Sequence, residues 1–277
     1  GASKIPDLVK RAKELNMPAV GITDHGNMHG AYEMWSTAVK EGVKPIIGIE
    51  AYVTPETARQ DQTRVSWDTN WNPDIDPQHR RRNPNDVSGG GLITHLTMWA
   101  ETDEGLVNLM KASTDANLEG RVMRYPRMDK EILAKYSKGI IASSGCPSGI
   151  IQTRLLLGQF DEALRAAGEL QDIFGRDNFY IEFMDHGLKI EKQVTDGLLD
   201  IAKKLNAPLL ATNDSHYVRA EDAGSQDAML CINSGSTLDE PGRFKFDGTG
   251  YYLKSAEEMR ELFKDIPEAC DHTLEIA

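Results

Sequence analysis

Near the start of the chain, apolar residues fall at helical spacing. Ile5, Leu8, Val9, Ala12 and Leu15 share one face, Ser3 stands where a helix cap belongs, and Pro6 sits in the tolerated first turn. The pattern then shortens: an apolar run at 19–23 ends in Asp24-His25-Gly26, helical spacing returns over 31–40, and a second run at 46–50 ends in Glu50. The same rhythm predicts strands at 92–98, 139–143, 179–184 and 209–213. Helices over 105–116, 160–174 and 190–205 separate them, and one more amphipathic helix is expected at 255–263. Strands alternating with helices imply a parallel sheet in an α/β fold, either open and doubly wound or closed as a barrel.

One stretch, 54–91, breaks the rhythm. It is rich in Pro, Asn, Asp, Arg and Gly and far longer than an ordinary connection, so it is expected to be a mobile surface insertion with few core contacts. Its Arg80-Arg81-Arg82 run suits either a phosphate backbone or solvent. Asp74 and Asp76 have the spacing of a magnesium-binding carboxylate pair, but their place in this segment reads as loop.

Composition narrows the function classes. The 277 residues, 40% hydrophobic, can bury a sizeable core as one barrel-sized domain. No apolar run approaches a membrane span, and no signal-peptide core opens the chain, so a cytoplasmic protein with no membrane partner is expected. Cys146, Cys231 and Cys270 are an odd, scattered set that suits a reducing compartment. The net charge of -12 argues against this chain gripping DNA unaided.

Catalytic groups of parallel α/β folds gather at the C-terminal ends of strands. There the sequence places Asp24-His25, Glu50, His95 on the third strand, Gly145-Cys146-Pro147 and Asp214-Ser215-His216. Imidazole, carboxylate and thiolate are metal-binding groups. Asp214 and His216, two apart on an extended strand, would point the same way, though the sequence equally fits a hydrogen-bonded turn. Glu50 ends an apolar segment, where burial demands a cation, a metal or an ion-pair partner. His25 and His95 taken singly would also serve as satisfied core histidines. Pro147 suggests a helix start, which would favour the Cys146 thiolate as ligand or nucleophile over a merely buried thiol. Asp185 and His186 lie at the expected mouth, but Gly187 makes a plain turn an equal reading.

These residues resemble a known family. The stretches are 19–27, Gly145-Cys146-Pro147-Ser148-Gly149, Ala211-Thr212-Asn213-Asp214-Ser215-His216-Tyr217, and Arg243-Phe244-Lys245-Phe246-Asp247-Gly248 through Tyr251-Tyr252-Leu253-Lys254. They are similar to the PHP (polymerase and histidinol phosphatase) family, in the branch found in bacterial DNA polymerase III alpha subunits. The resemblance implies a distorted, TIM-like (β/α)7 barrel spanning 1–254 with the inserted loop 54–91, followed by a helical segment, 255–277, leading toward a polymerase region. It implies up to three divalent metal ions at the mouth, zinc first, with manganese or iron as alternatives. Of the family's ligand positions, His25, Glu50, His95, Cys146, Asp214 and His216 match. Asp24, Asp185 and His186 are left as supporting residues around them. The family pattern opens with a His-x-His strand and a loop Asp, none of which this chain contains. A barrel lacking its first strand, with a damaged and inactive site, is therefore expected.

The function implied is metal-dependent phosphodiester hydrolysis, a 3′ to 5′ proofreading exonuclease within a DNA-directed DNA polymerase. Its partners would be primer-template DNA, held by the rest of the polymerase, and other polymerase subunits. The alternatives are an inactive structural module of the polymerase and a free-standing PHP-family phosphatase.

Overall fold

Among the described residues seven strands form one sheet, and alternation along each strand decides what faces the barrel interior. The computed structural model describes residues 1–70, 72 and 83–277. The strands are β1 (Ala19–His25), β2 (Lys44–Val53), β3 (Thr94–Ala100), β4 (Arg127–Met128), β5 (Ile140–Ser143), β6 (Phe179–Phe183) and β7 (Leu209–Ala211), in the order β1-β2-β3-β5-β6-β7 with β4 also on β2. Outward-facing Ile49, Leu96, Met98, Ile140 and Ile181 join the main apolar core. Inward, Trp99, Ile141, Tyr180 and Leu210 cluster as a floor. Two residues further toward the mouth on each strand stand Thr97, Ser143, Glu182 and Thr212, so period-two spacing sets a polar layer above an apolar one. Gly48 makes room for the floor: a Cβ there would lie 2.3 Å from the Met98 carbonyl and 2.7 Å from the Trp99 ring.

The sheet is not all parallel, as alternation with helices had implied. β3 runs antiparallel to both β2 and β5, while β1/β2, β2/β4, β5/β6 and β6/β7 are parallel. The link from β2 to β3 is the long segment, not a crossover helix, and so imposes no parallel pairing. The sheet curls into a partial barrel. Among the described residues β1 and β7 do not pair with each other, and a cavity of about 780 Å³ opens between them, lined by Gly21, Thr23, Leu210 and Thr212.

Eleven helices are seen among the described residues: α1 (Ile5–Glu14), α2 (Ala31–Glu41), α3 (Ser88–Gly91), α4 (Asp103–Glu119), α5 (Lys130–Lys135), α6 (Ile150–Leu156), α7 (Phe160–Phe174), α8 (Lys189–Leu205), α9 (Ala223–Ser234), α10 (Ala256–Leu262) and α11 (Glu268–Ile276). Val9 and Ala12 of α1 bury against Met34 and Ala38 of α2. Ser3 does not cap α1: the cap position is Lys4, and the Ser3 hydroxyl is buried without a partner. Helices α4, α7 and α8 cover the sheet with Leu109, Leu170 and Leu198. The segment 255–277 packs into the body, since Phe263, Ala269 and Cys270 belong to the main core. No helix of the described residues is long and apolar enough to cross a membrane.

The inserted segment is irregular, as expected, but its described parts are tied down, against the expectation of few contacts. Arg127, with no exposed surface, donates to the carbonyls of Arg59, Asp61, Leu92 and Gly120. Arg59 itself bridges Glu119, Asp129 and Glu131. Asp86 accepts from the Ser66 hydroxyl and the Trp67 backbone N–H, and Arg154 lies over the Trp67 ring at 3.8 Å. A buried guanidinium whose acceptors lie in the loop ties the loop to the core. Asp74, Asp76 and the Arg80-Arg81-Arg82 run lie outside the described residues.

Candidate metal centre

β1 and β2 run side by side, so His25 is brought opposite Glu50. His95 arrives from the other direction: it begins the antiparallel β3, opposite Tyr52 near the end of β2. A strand start in an antiparallel neighbour lies at the same mouth as the ends of the parallel strands, and this is why His95 joins the cluster. His25 Nε2 is 3.2 Å and His95 Nδ1 2.6 Å from the two Glu50 carboxylate oxygens. Ligand atoms of these three residues all lie within 4.8 Å of one another. Cys146 Sγ closes on them, 3.5 Å from Glu50 Oε1 and 3.4 Å from His95 Nδ1.

Asp214 and His216 approach from β7, but not on a strand. β7 ends at Ala211, and Asp214 takes the left-handed conformation at φ 42°, a turn geometry that Asp tolerates. The His216 ring stands 6.3 Å from the His25 ring, and its Nδ1 hydrogen-bonds the Asp214 carbonyl at 2.7 Å. The turn is held from below. Asn213 donates to the Tyr252 carbonyl and accepts from Lys254 Nζ at 2.6 Å, so the 250–254 segment positions it.

The three supporting candidates make hydrogen bonds of their own. Asp24 accepts from the Gly30 N–H and Asp185 from the Gly187 N–H, each fixing a turn. His186 is buried, with Nδ1 on Glu191, Nε2 on the Asn213 carbonyl and its face stacked on Tyr251 at 4.0 Å. Neither ring nitrogen is open to a metal. Pro147 does not start a helix either: α6 begins at Ile150, so Cys146 sits in a buried turn. Burial, then the nearby Glu50 and Asp214 carboxylates, pushes its thiol well up, opposite to the lowering expected at a helix start.

Sequence reading missed Glu182. Its carboxylate, fully enclosed in the polar layer, accepts from the Gly145 N–H at 3.0 Å and from the Ser143 and Thr212 hydroxyls. Burial pushes it up to about 7, with Asp214 and Glu50 adding to that and the two hydroxyls opposing it. The missed signal was a lone acid in the apolar run Phe179–Phe183, the same signal that marked Glu50. Tyr52 was also missed; it packs against His25 and His95 at 6.1 and 5.5 Å. Gly26 permits this, because a Cβ there would sit 2.7 Å from the Tyr52 ring, and its φ of 66° suits glycine.

The donor set fits a divalent cation. Burial raises Glu50, but the His95 hydrogen bond and the His95 and His25 charges outweigh it and hold the carboxyl at about 2. Desolvation, against the pull of Glu50, lowers His25 and leaves a neutral ring able to ligate. Among the described residues no Lys or Arg hydrogen-bonds Glu50, Glu182 or Asp214, so the buried carboxylates have no side-chain ammonium or guanidinium to balance them.

The PHP domain pattern matches residues 1–186. Proteins named DNA polymerase III subunit alpha from Mycobacterium tuberculosis (strain H37Rv) and Saccharopolyspora erythraea are 52% and 54% identical to this chain. The protein of that name from Borreliella burgdorferi is 38% identical. Each comparison covers 100% of this chain but only 22% or 23% of the relative, so the chain spans under a quarter of the length of the relatives it matches. By this match and by the strand order that gathers His25, Glu50, His95 and Cys146, the chain belongs to the PHP domain family.

Proposed function

We propose that this chain is the metal-dependent phosphodiesterase domain of a DNA polymerase III alpha subunit, and that it removes nucleotides from a primer 3′ end while polymerase residues elsewhere extend it. The observation that carries the reading is the cluster of His25, Glu50 and His95, with ligand atoms within 4.8 Å around a buried Glu50, and Cys146 Sγ beside them. His25, Glu50, His95, Cys146, Asp214 and His216 would hold the ions, zinc first on the histidine and thiol donors, manganese or iron on the carboxylates. A divalent ion held there supplies Lewis-acid catalysis of phosphodiester hydrolysis.

The chain's own residues do the rest. Glu50, ionised throughout the neutral range, supplies fixed negative charge, and the Cys146 thiol, held protonated by burial, would give up its proton in order to ligate a cation. The left-handed turn at Asp214 aims the last two donors across the mouth from His25. In this reading residues 1–254 are the barrel, 255–277 leads toward the polymerase region, and the protein acts in the cytoplasm on primer-template DNA with other polymerase subunits. The open cleft between β1 and β7 borders His25 and Asp214. The 277-residue chain alone is therefore expected to hold fewer ions and cleave less than the longer protein.

Elemental analysis of the longer protein, purified without added metal, tests this together with digestion of a 3′-labelled primer before and after chelation. Retained metal and chelator-sensitive trimming are expected. A protein that retains no metal and trims equally in chelator would overturn the reading.

A further inference from the structure

A line of aromatic rings crosses the metal centre from one side of the mouth to the other. Tyr125 meets Tyr52 at 5.1 Å, Tyr52 meets His25 at 6.1 Å, and His25 meets His216 at 6.3 Å. His216 meets Phe246 edge-on at 4.7 Å, and Phe246 meets Phe244 at 6.0 Å. The two ends of the line differ from its middle. Phe244 keeps 65% of its surface exposed, a large cost for a ring with nothing on it. Arg124 lies over Tyr125 at 5.3 Å and Lys245 stands between the two phenylalanines. Both cations are exposed, and neither forms a salt bridge among the described residues. In a chain of net charge -12, two such cations beside the mouth are a local exception.

We propose that Phe244 and Phe246 form a stacking wall for the terminal base of a single-stranded 3′ end, with Arg124 and Lys245 meeting its phosphates. This rests on reading the centre as a phosphodiester-cleaving site. A base offers its face only when unpaired, so the exposed Phe244 ring, backed by the half-buried Phe246 beside the centre, selects a frayed or single-stranded end over a paired one. Stacking tolerates any base, which suits a site that must remove whichever nucleotide is last. It also fits the acidic chain: with few cations available, grip has to come from apolar faces, and binding depends weakly on salt. Phe246 has a second effect, since its edge-on contact fixes the His216 ring that faces the centre. Phe244 touches no candidate ligand in this line and isolates the stacking contribution.

The experiment uses the longer protein that carries this chain, without nucleotide triphosphates, and two single-stranded oligonucleotides, one ending in thymidine and one in an abasic 3′ residue. The unmodified protein is expected to favour the thymidine end about tenfold in KM, and Phe244→Ala to erase that preference, with Phe244→Trp restoring it. A preference that survives Phe244→Ala overturns the proposal. A second readout needs no turnover: an oligonucleotide ending in 5-iodouracil is irradiated with the protein in chelator and the crosslinked peptide is sequenced. Crosslinks at Phe244 or Phe246 support the wall, and crosslinks only elsewhere overturn it. If neither oligonucleotide is cut, the hydrolytic reading fails, and the crosslink alone decides the wall.

Discussion

The Glu182 carboxylate accepts a hydrogen bond from the Gly145 backbone N–H at 3.0 Å, one residue before Cys146. The same carboxylate holds Ser143 on β5 and Thr212 after β7. It thus joins the two loops that deliver Cys146 and Asp214. Glu182→Ala is expected to lower stability by about 1–3 kcal/mol, because those donors lose a buried acceptor. It should also reduce bound metal, measured by elemental analysis of the folded variant. Full metal content in a destabilised variant would show that Glu182 supports the fold but not the centre.

Glu182 also gives the metal-free protein a pH dependence. Its carboxyl titrates near 7 when folded, above the ordinary carboxylate range, so between about pH 4.5 and 7 the unfolded chain has ionised while the folded one has not. Stability from this group is complete below that window and is lost as pH rises to about 7. Glu50, held at about 2, acts oppositely: its contribution is present above the ordinary range and is lost as pH falls toward 2. Denaturant unfolding in chelator, from pH 5 to 8, should show a decline that Glu182→Gln flattens. An unchanged slope in that variant would refute the assignment.

Substitution should separate ligands from turn-makers. His25→Ala, Glu50→Gln and Cys146→Ser are expected to lower zinc stoichiometry or affinity by tenfold or more, on the order seen when supporting groups of metal sites are lost. Asp24→Ala and Asp185→Ala remove acceptors for the Gly30 and Gly187 N–H groups and should cost about 0.5–1.5 kcal/mol while leaving metal content intact. Loss of metal in the second pair would mean that the turns and the centre are one unit.

Arg127→Met should be among the most damaging changes outside the centre. The guanidinium is buried among four carbonyl acceptors, two of them in the inserted segment, and its removal leaves them unsatisfied at about 2–4 kcal/mol in total. Replacing 58–67 by a Gly/Ser linker should lower the melting temperature for the same reason. A variant with an unshifted melting temperature would show that the segment is dispensable after all.

The strands and helices were legible because apolar periodicity is a local property. Phe160–Phe174 carries its full helical pattern, and Glu50 announces itself as an acid at the end of an apolar run. Direction was not legible: β3 has the same alternation whichever way it runs, and only its pairing with β2 and β5 reverses it. The sequence reading puts His95 in the middle of a parallel strand, 92–98, whereas the structure brings it to the mouth near the beginning of an antiparallel one. At Asp214 the sequence fits a strand end and a turn alike, and the left-handed backbone decides for the turn. Arg127 was silent because its partners are main-chain carbonyls, which leave no side-chain pattern.

The reversal of β3 has a consequence for how such a protein can change. A link between parallel strands must travel the full depth of the barrel and back, which fixes its minimum length. The link from Val53 to Thr94 leaves and returns on one side, so barrel geometry places no demand on it. So long as the carbonyls of Arg59 and Asp61 still reach Arg127, residues can be gained or lost there while Glu50 and His95 keep their separation, which strand register sets. Strand register thus fixes the geometry of the cluster, while the length of the link between those two strands is free to drift.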